Sequence, residues 1–295
     1  MTIKIASNVG PARIDIAYER LGDAQAPPVL LIMGLGTQLI GWPDDLCDEL
    51  VGRGLQVIRF DNRDAGQSTH LTGAPVPDFA AALAGDHSSA EYTVSDMAGD
   101  SVGLLDALGL TSAHVVGASM GGFIAQTIAI EHPDRIRTLT SMMSSTGDIS
   151  VGRPHPETMR MFSGTPPTNR EEVVQRALET FSVIGSPGFH TDLAAVADLA
   201  GRAYDRAFDP LASARQAVAV LASGDRTSRL RSLTVPTLVI HGTDDRVIDV
   251  SGGRATAAAI PGAELVVIDG MGHDLPAALR PRFAAKIAEL VERRR

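Results

Sequence analysis

The residues in this chain best placed to do chemistry are Gly117-Ala118-Ser119-Met120-Gly121, which follow the apolar run AHVVGA and lead into GFIAQTIAIEH, a stretch with helical spacing. Residues without bulky side chains on both sides let a strand and a helix approach closely through a sharp turn, from which a strained Ser119 projects its hydroxyl. A helix starting there offers free N–H groups and the positive end of its dipole to a developing oxyanion, with the Met120 N–H as the first donor. The blander alternative is a glycine-rich helix start packed in the core, and the strand, turn and helix context speaks against it. A hydroxyl is a weak nucleophile, so it needs a base within hydrogen-bond reach and a third group to orient that base. Among eight histidines, His273 fits the base because it lies in Gly270-Met271-Gly272-His273, directly after the apolar run ELVVID. For the acid, PTLVIHGTDDRVIDV leaves a buried strand and puts Asp244 and Asp245 in the turn that follows, and spacing alone leaves both open.

These groups can meet only if a fold carries them to one edge. Alternating runs around 3–6 and 13–20, separated by Asn8-Val9-Gly10-Pro11, predict a hairpin. Continuous apolar runs (PPVLLIM, LQVIRF, AHVVGA, IRTLTSMM, PTLVIHG, ELVVID) predict strands buried on both faces. Helical spacing appears over 44–53, 94–108, 120–131, 253–260 and 279–292. Strands alternating with helices predict an α/β fold, a mostly parallel, doubly wound sheet with site loops at the carboxyl ends of the strands. From about 145 to 231 the alternation breaks into helical patterns punctuated by prolines. We read this as an inserted helical cap, with residues 1–144 and 232–295 forming the core. The irregular stretch 62–91 is long for a mere connection and is expected to line one wall of the site.

Composition bounds the partners. The 295 residues are 44% hydrophobic and 21% charged, enough apolar material for one large core. A formal charge of −9 argues against a nucleic-acid partner, since phosphate binding draws on excess Lys and Arg. The single cysteine, Cys47, rules out an intramolecular disulfide. No run is long and apolar enough for a bilayer span, and the first residues have no continuous apolar region of the signal-peptide kind, so the expected location is cytoplasmic. There is no Cys/His cluster with zinc spacing, no phosphate loop and no dinucleotide fingerprint, so neither a metal nor an organic cofactor is expected.

Several further segments carry a resemblance: Met33-Gly34-Leu35-Gly36, Gly41-Trp42-Pro43, the run from Arg59 to Ser68 (RFDNRDAGQS), VPTLVIHGTDD and GMGH. With the serine turn, they make the chain resemble α/β-hydrolases along nearly its whole length, and most of all serine esterases of the aclacinomycin methylesterase type. The resemblance implies an eight-stranded α/β-hydrolase fold and the chain order serine, acid, histidine. It favours Asp245 over Asp244 as the acid. It also implies a second oxyanion donor just after the third strand, here the Leu35 N–H, although Met33 stands where many members have histidine. Gly34, Trp42, Met143, Met161 and Phe162 are candidate substrate contacts, set against the tendency of such methionines to be core fillers. The implied activity is hydrolysis of small or medium apolar carboxylic esters through an acyl-enzyme, with methyl esters or lactones of natural products within its scope. The alternatives are a cofactor-free perhydrolase of the haloperoxidase kind and a binding protein that has kept the fold without turnover. The expected partner is a small-molecule ester, and a homodimer is compatible with this reading.

Overall fold

The computed structural model describes residues 2–162 and 166–294, with the backbone alone for 160–162. In chain order the elements are β1 (Lys4–Val9), β2 (Ile14–Leu21), β3 (Pro28–Ile32), α1 (Asp44–Gly52), β4 (Gln56–Phe60), α2 (Phe79–Leu83), α3 (Val94–Ala107), β5 (Ala113–Ala118), α4 (Met120–Glu131) and β6 (Ile136–Met142). Then follow α5 (Pro156–Phe162), α6 (Arg170–Ile184), α7 (Leu193–Arg206), α8 (Ala212–Ala222), α9 (Thr227–Leu230), β7 (Thr237–Gly242), α10 (Val250–Ala259), β8 (Glu264–Ile268) and α11 (Arg280–Glu292).

The strands form one eight-stranded sheet in the order β1-β2-β4-β3-β5-β6-β7-β8. β2 pairs antiparallel with β1 and β4, and every other pairing is parallel, so the expected mostly parallel sheet is what forms. Side chains alternate across a strand, and both faces of this sheet are covered. Leu30 and Ile32 therefore join a cluster with Met97, Leu104, Val115 and Ile124 on one face. Val29 and Leu31 join Val57, Leu238, Phe283 and Ile287 on the other. The chain leaves β3 for β4 on one side and later returns to lay β5 on the other. The carboxyl ends of β3 and β5 thus flank a topological switch point, where α/β sheets open a crevice.

Three details depart from the sequence reading. β1 runs through Asn8 and Val9, and the hairpin turns later, where the Arg13 N–H donates to the Gly10 carbonyl. Asn8 has φ 57°, which asparagine tolerates, and it absorbs a bulge that lets buried Val9 pair with Ile14. α10 starts at Val250 because the Asp249 side chain caps the Ser251 N–H, so the glycines at 252 and 253 fall inside the helix. The described stretch between β6 and β7 holds α5 to α9, and its parts are unequal. α6 has no buried residue, whereas Ala219 of α8 and Leu230 of α9 belong to the main core cluster. Among the described residues no helix is long and apolar enough to cross a membrane.

Candidate active site

Ser119 sits between the end of β5 and the start of α4 with φ 54° and ψ −120°, a strained conformation for a residue with a side chain. The surroundings enforce it. A Cβ on Gly117 would collide with the Gly121 carbonyl, and one on Gly121 would collide with the carbonyl of Ile32 in β3. Only glycines let the strand, turn and helix close this tightly. The Ser119 N–H donates to the Met142 carbonyl at 2.9 Å, fixing the turn to β6.

His273 comes to Ser119 from the loop after β8. Its Nε2 lies 2.9 Å from Ser119 Oγ, and its Nδ1 lies 2.8 Å from Asp245 Oδ2. Asp245 is buried in the turn after β7, and its other oxygen accepts the N–H groups of Val247 and Ile248, each at 2.9 Å. Burial alone would push the Asp245 carboxyl up. The charge of His273 and hydrogen bonds from His241 and His273 outweigh that and hold it well below the usual carboxylate range. Asp244, by contrast, is exposed and accepts a hydrogen bond from its neighbour Thr243. Serine, histidine and buried aspartate therefore stand in one hydrogen-bonded line, with Ser119 and His273 part-exposed at its open end.

The turn after β3 closes the other side. A Cβ on Gly34 would lie 3.1 Å from Ser119 Cβ, so the Gly34 backbone packs directly against the serine. The N–H groups of Leu35, next to Gly34, and of Met120, next to Ser119, have no hydrogen-bond partner among the described residues. Met33 is buried and accepts from Asn62 Nδ2 through its carbonyl.

The other expected contacts fall out differently. Trp42 is fully buried with Leu46, Leu50 and Met33 in the core cluster under α1 and α11, so it packs rather than contacts substrate. Met143 is likewise buried in that cluster, at φ 41°, with its N–H donating to the Ile240 carbonyl. Met161 and Phe162 close α5, and their side chains lie outside the described residues. The stretch 62–91 supports the site from behind, through Asn62 and through the Arg63 carbonyl, which accepts from Gln216.

Three residues escaped the sequence reading. His241, near the end of β7, puts Nε2 3.3 Å from Asp245 Oδ2, and its place four residues before the acid is the available signal. Ser186 accepts the Gly272 N–H at 2.8 Å and donates to Asp274, tying the histidine loop to the segment between α6 and α7. The His273 N–H, donating to the Ile184 carbonyl at 2.8 Å, adds a second tie. Gln216 is the third, and nothing in the pattern of α8 marks it beyond a polar residue at a buried position.

Asp64, His70 and Asp209 bring potential ligand atoms within 4.8 Å of one another. Arg215 already donates to Asp64 at 2.6 and 3.0 Å and also to Asp209, so its guanidinium neutralises the carboxylates a cation would need. This donor set is an ion-pair cluster and does not suit a metal.

A family model described as alpha/beta hydrolase fold matches residues 27–276. Rhodomycin D methylesterase DnrP of Streptomyces peucetius is 30% identical, with 91% of this chain and 92% of that protein aligned. A 2-hydroxy-6-oxononadienedioate/2-hydroxy-6-oxononatrienedioate hydrolase of Cupriavidus pinatubonensis is 29% identical over 85% of this chain and 81% of its own. Among solved structures, the esterase RhEst1 from a Rhodococcus species superposes with a TM-score of 0.76 at 21% identity over the whole of both chains. A meta-cleavage product hydrolase from Pseudomonas fluorescens gives 0.74 at 20% identity, covering 98% of this chain and 97% of that one. At these identities the structural likeness speaks to the fold.

Proposed function

Because the chain belongs to the α/β-hydrolase fold family, we propose that it is a serine esterase that cleaves small or medium apolar carboxylic esters through an acyl-enzyme on Ser119. The observation that carries this reading is the unbroken line Asp245–His273–Ser119, with contacts of 2.8 and 2.9 Å and the serine held at φ 54°. His273 Nε2 takes the Ser119 proton as Oγ attacks the ester carbonyl. The oxygen of the tetrahedral intermediate settles between the Leu35 and Met120 N–H groups, whose lack of other partners suits them to a charge that exists only then. His273 then protonates the departing alcohol, and a water deprotonated by the same nitrogen releases the acid. Asp245, saturated with donors and held ionised, stabilises the imidazolium without taking its proton. No step asks for a metal or an organic cofactor.

Similarity to a rhodomycin D methylesterase supports a methyl ester of an apolar natural product as the leading substrate class. The segment between β6 and β7 would serve as the cap over that substrate, with α5 to α7 the covering part, since α8 and α9 are built into the core. The similarity to 2-hydroxy-6-oxononadienedioate hydrolases supports a second reading on the same machinery. A panel of aryl and alkyl methyl esters, p-nitrophenyl esters of graded acyl length and a 2-hydroxy-6-oxo dienoate separates the two. The proposal expects ester turnover with preference for apolar groups. Turnover of the dienoate with none of any ester would overturn it.

A further inference from the structure

We propose that Gln216 of α8 is a positioning residue for the oxyanion turn, holding the Leu35 N–H in line with the intermediate. This rests on the hydrolase reading above and assigns a part in it to a side chain 180 residues away from the turn it governs.

The turn from Gly34 to Thr37 has little to hold it from within. The Thr37 N–H reaches the Gly34 carbonyl at 3.2 Å, and Thr37 Oγ1 reaches the Leu35 carbonyl at 3.3 Å, both at the long end of the hydrogen-bond range. Gly36, at φ 68°, adds backbone freedom. The short bond comes from outside: the Gly36 N–H donates to Gln216 Oε1 at 2.7 Å. That bond fixes the peptide plane next to the one that carries the Leu35 N–H, so it sets where that N–H points.

Gln216 is itself held at both ends. It is fully buried, and its Nε2 donates to the Arg63 carbonyl at 2.8 Å. A carbonyl on one side and an N–H on the other allow only one orientation of the amide. One residue earlier, Arg215 is buried and paired with Asp64 and Asp209, so the helix that carries Gln216 is anchored to the core loop. A further tie continues along the turn, where Gln38 Nε2 donates to the Ala203 and Ala207 carbonyls at the end of α7 at 2.7 and 3.2 Å. Hydrogen bonds therefore join α7 and α8 to the oxyanion turn and the residue after it. An amide buried only to satisfy the fold would stabilise the chain without affecting the transition state in particular. One that aims a donor must act on the transition state more than on the ground state.

The test uses Gln216→Met, which keeps the length and loses both hydrogen bonds, and Gln216→Asn, which stays polar but draws the acceptor back from Gly36. Each is compared with wild type by thermal melting, by kcat and KM on a p-nitrophenyl ester, and by inhibition with an alkyl trifluoromethyl ketone, whose adduct with the serine puts an oxyanion in the hole. The expectation is a fall in kcat of about tenfold with KM within about twofold, and a matching loss of ketone affinity. If the Met variant does not fold, the Asn variant carries the same expectation. Either folded variant with kcat and ketone affinity unchanged overturns the proposal, and so does a loss confined to KM. Fluorophosphonate labelling of wild-type Ser119 separates the two levels. Labelled and active wild type with unaffected variants removes only the role of Gln216, whereas unlabelled wild type removes the hydrolase reading itself.

Discussion

His241 Nε2 lies 3.3 Å from Asp245 Oδ2, the same oxygen that accepts the hydrogen bond from His273 Nδ1. The same nitrogen is 2.8 Å from the Ile248 carbonyl, so it faces two oxygen acceptors and carries a proton. Gly253 packs against the far side of the ring, where a Cβ would collide with Nδ1, and this explains a glycine inside α10. Replacing His241 by Phe keeps an aromatic side chain, one ring atom larger, and removes the donor. The expected result is a kcat about tenfold lower, the equivalent of one hydrogen bond of about 1.4 kcal/mol. Steady-state kinetics on a p-nitrophenyl ester checks it, with His241→Gln recovering part of the loss by restoring an N–H.

The two adjacent aspartates should separate by orders of magnitude. Asp245→Asn leaves an amide that cannot hold the histidine tautomer with Nδ1–H, and kcat should fall about 10⁴-fold. The Asp244 side chain is exposed and accepts from neighbouring Thr243, so Asp244→Asn should stay within about twofold of wild type, as is usual for surface changes.

Acid should weaken the fold through Asp245. Its carboxyl is depressed when folded, so the unfolded chain binds the extra proton as pH falls. The stabilisation is fully present above the unfolded value of about 3.9 and is lost as pH drops through it towards the folded value. Denaturant titrations over acidic pH should show wild type losing stability relative to Asp245→Asn below about pH 4, with the difference constant above about pH 5.

Gly121→Ala puts a methyl group into the Ile32 carbonyl and should cost about 3 kcal/mol or more, or prevent folding. Gly73 has open space around it, so Gly73→Ala should change stability by no more than about 0.5 kcal/mol. Chemical denaturation of both compares them directly.

The legible parts of this molecule are those written in local pattern. Continuous apolar runs marked the strands, and strand, glycine, serine and helix in immediate succession marked the turn at Ser119. The hairpin was misplaced because Asn8 sits in a bulge, which alternation cannot show, and α10 because its cap is the side chain of Asp249. Trp42 and Met143 were misread for a different reason. An apolar side chain near a site loop in sequence can point to either face of the sheet, and these two joined the cluster under α1 and α11. Gln216 and Ser186 were silent because their partners lie in remote segments, and only folding brings α8 to Gly36 and residue 186 to Gly272.

A covalent route through Ser119 is tested by where the acyl group goes. Wild type turning over p-nitrophenyl acetate is quenched rapidly with acid, digested and mapped by mass spectrometry. An acetyl group is expected on the peptide containing Ser119, and neither acetyl group nor turnover with Ser119→Ala. Ester hydrolysis by Ser119→Ala at the wild-type rate, or an acetyl group trapped on another residue, would contradict it.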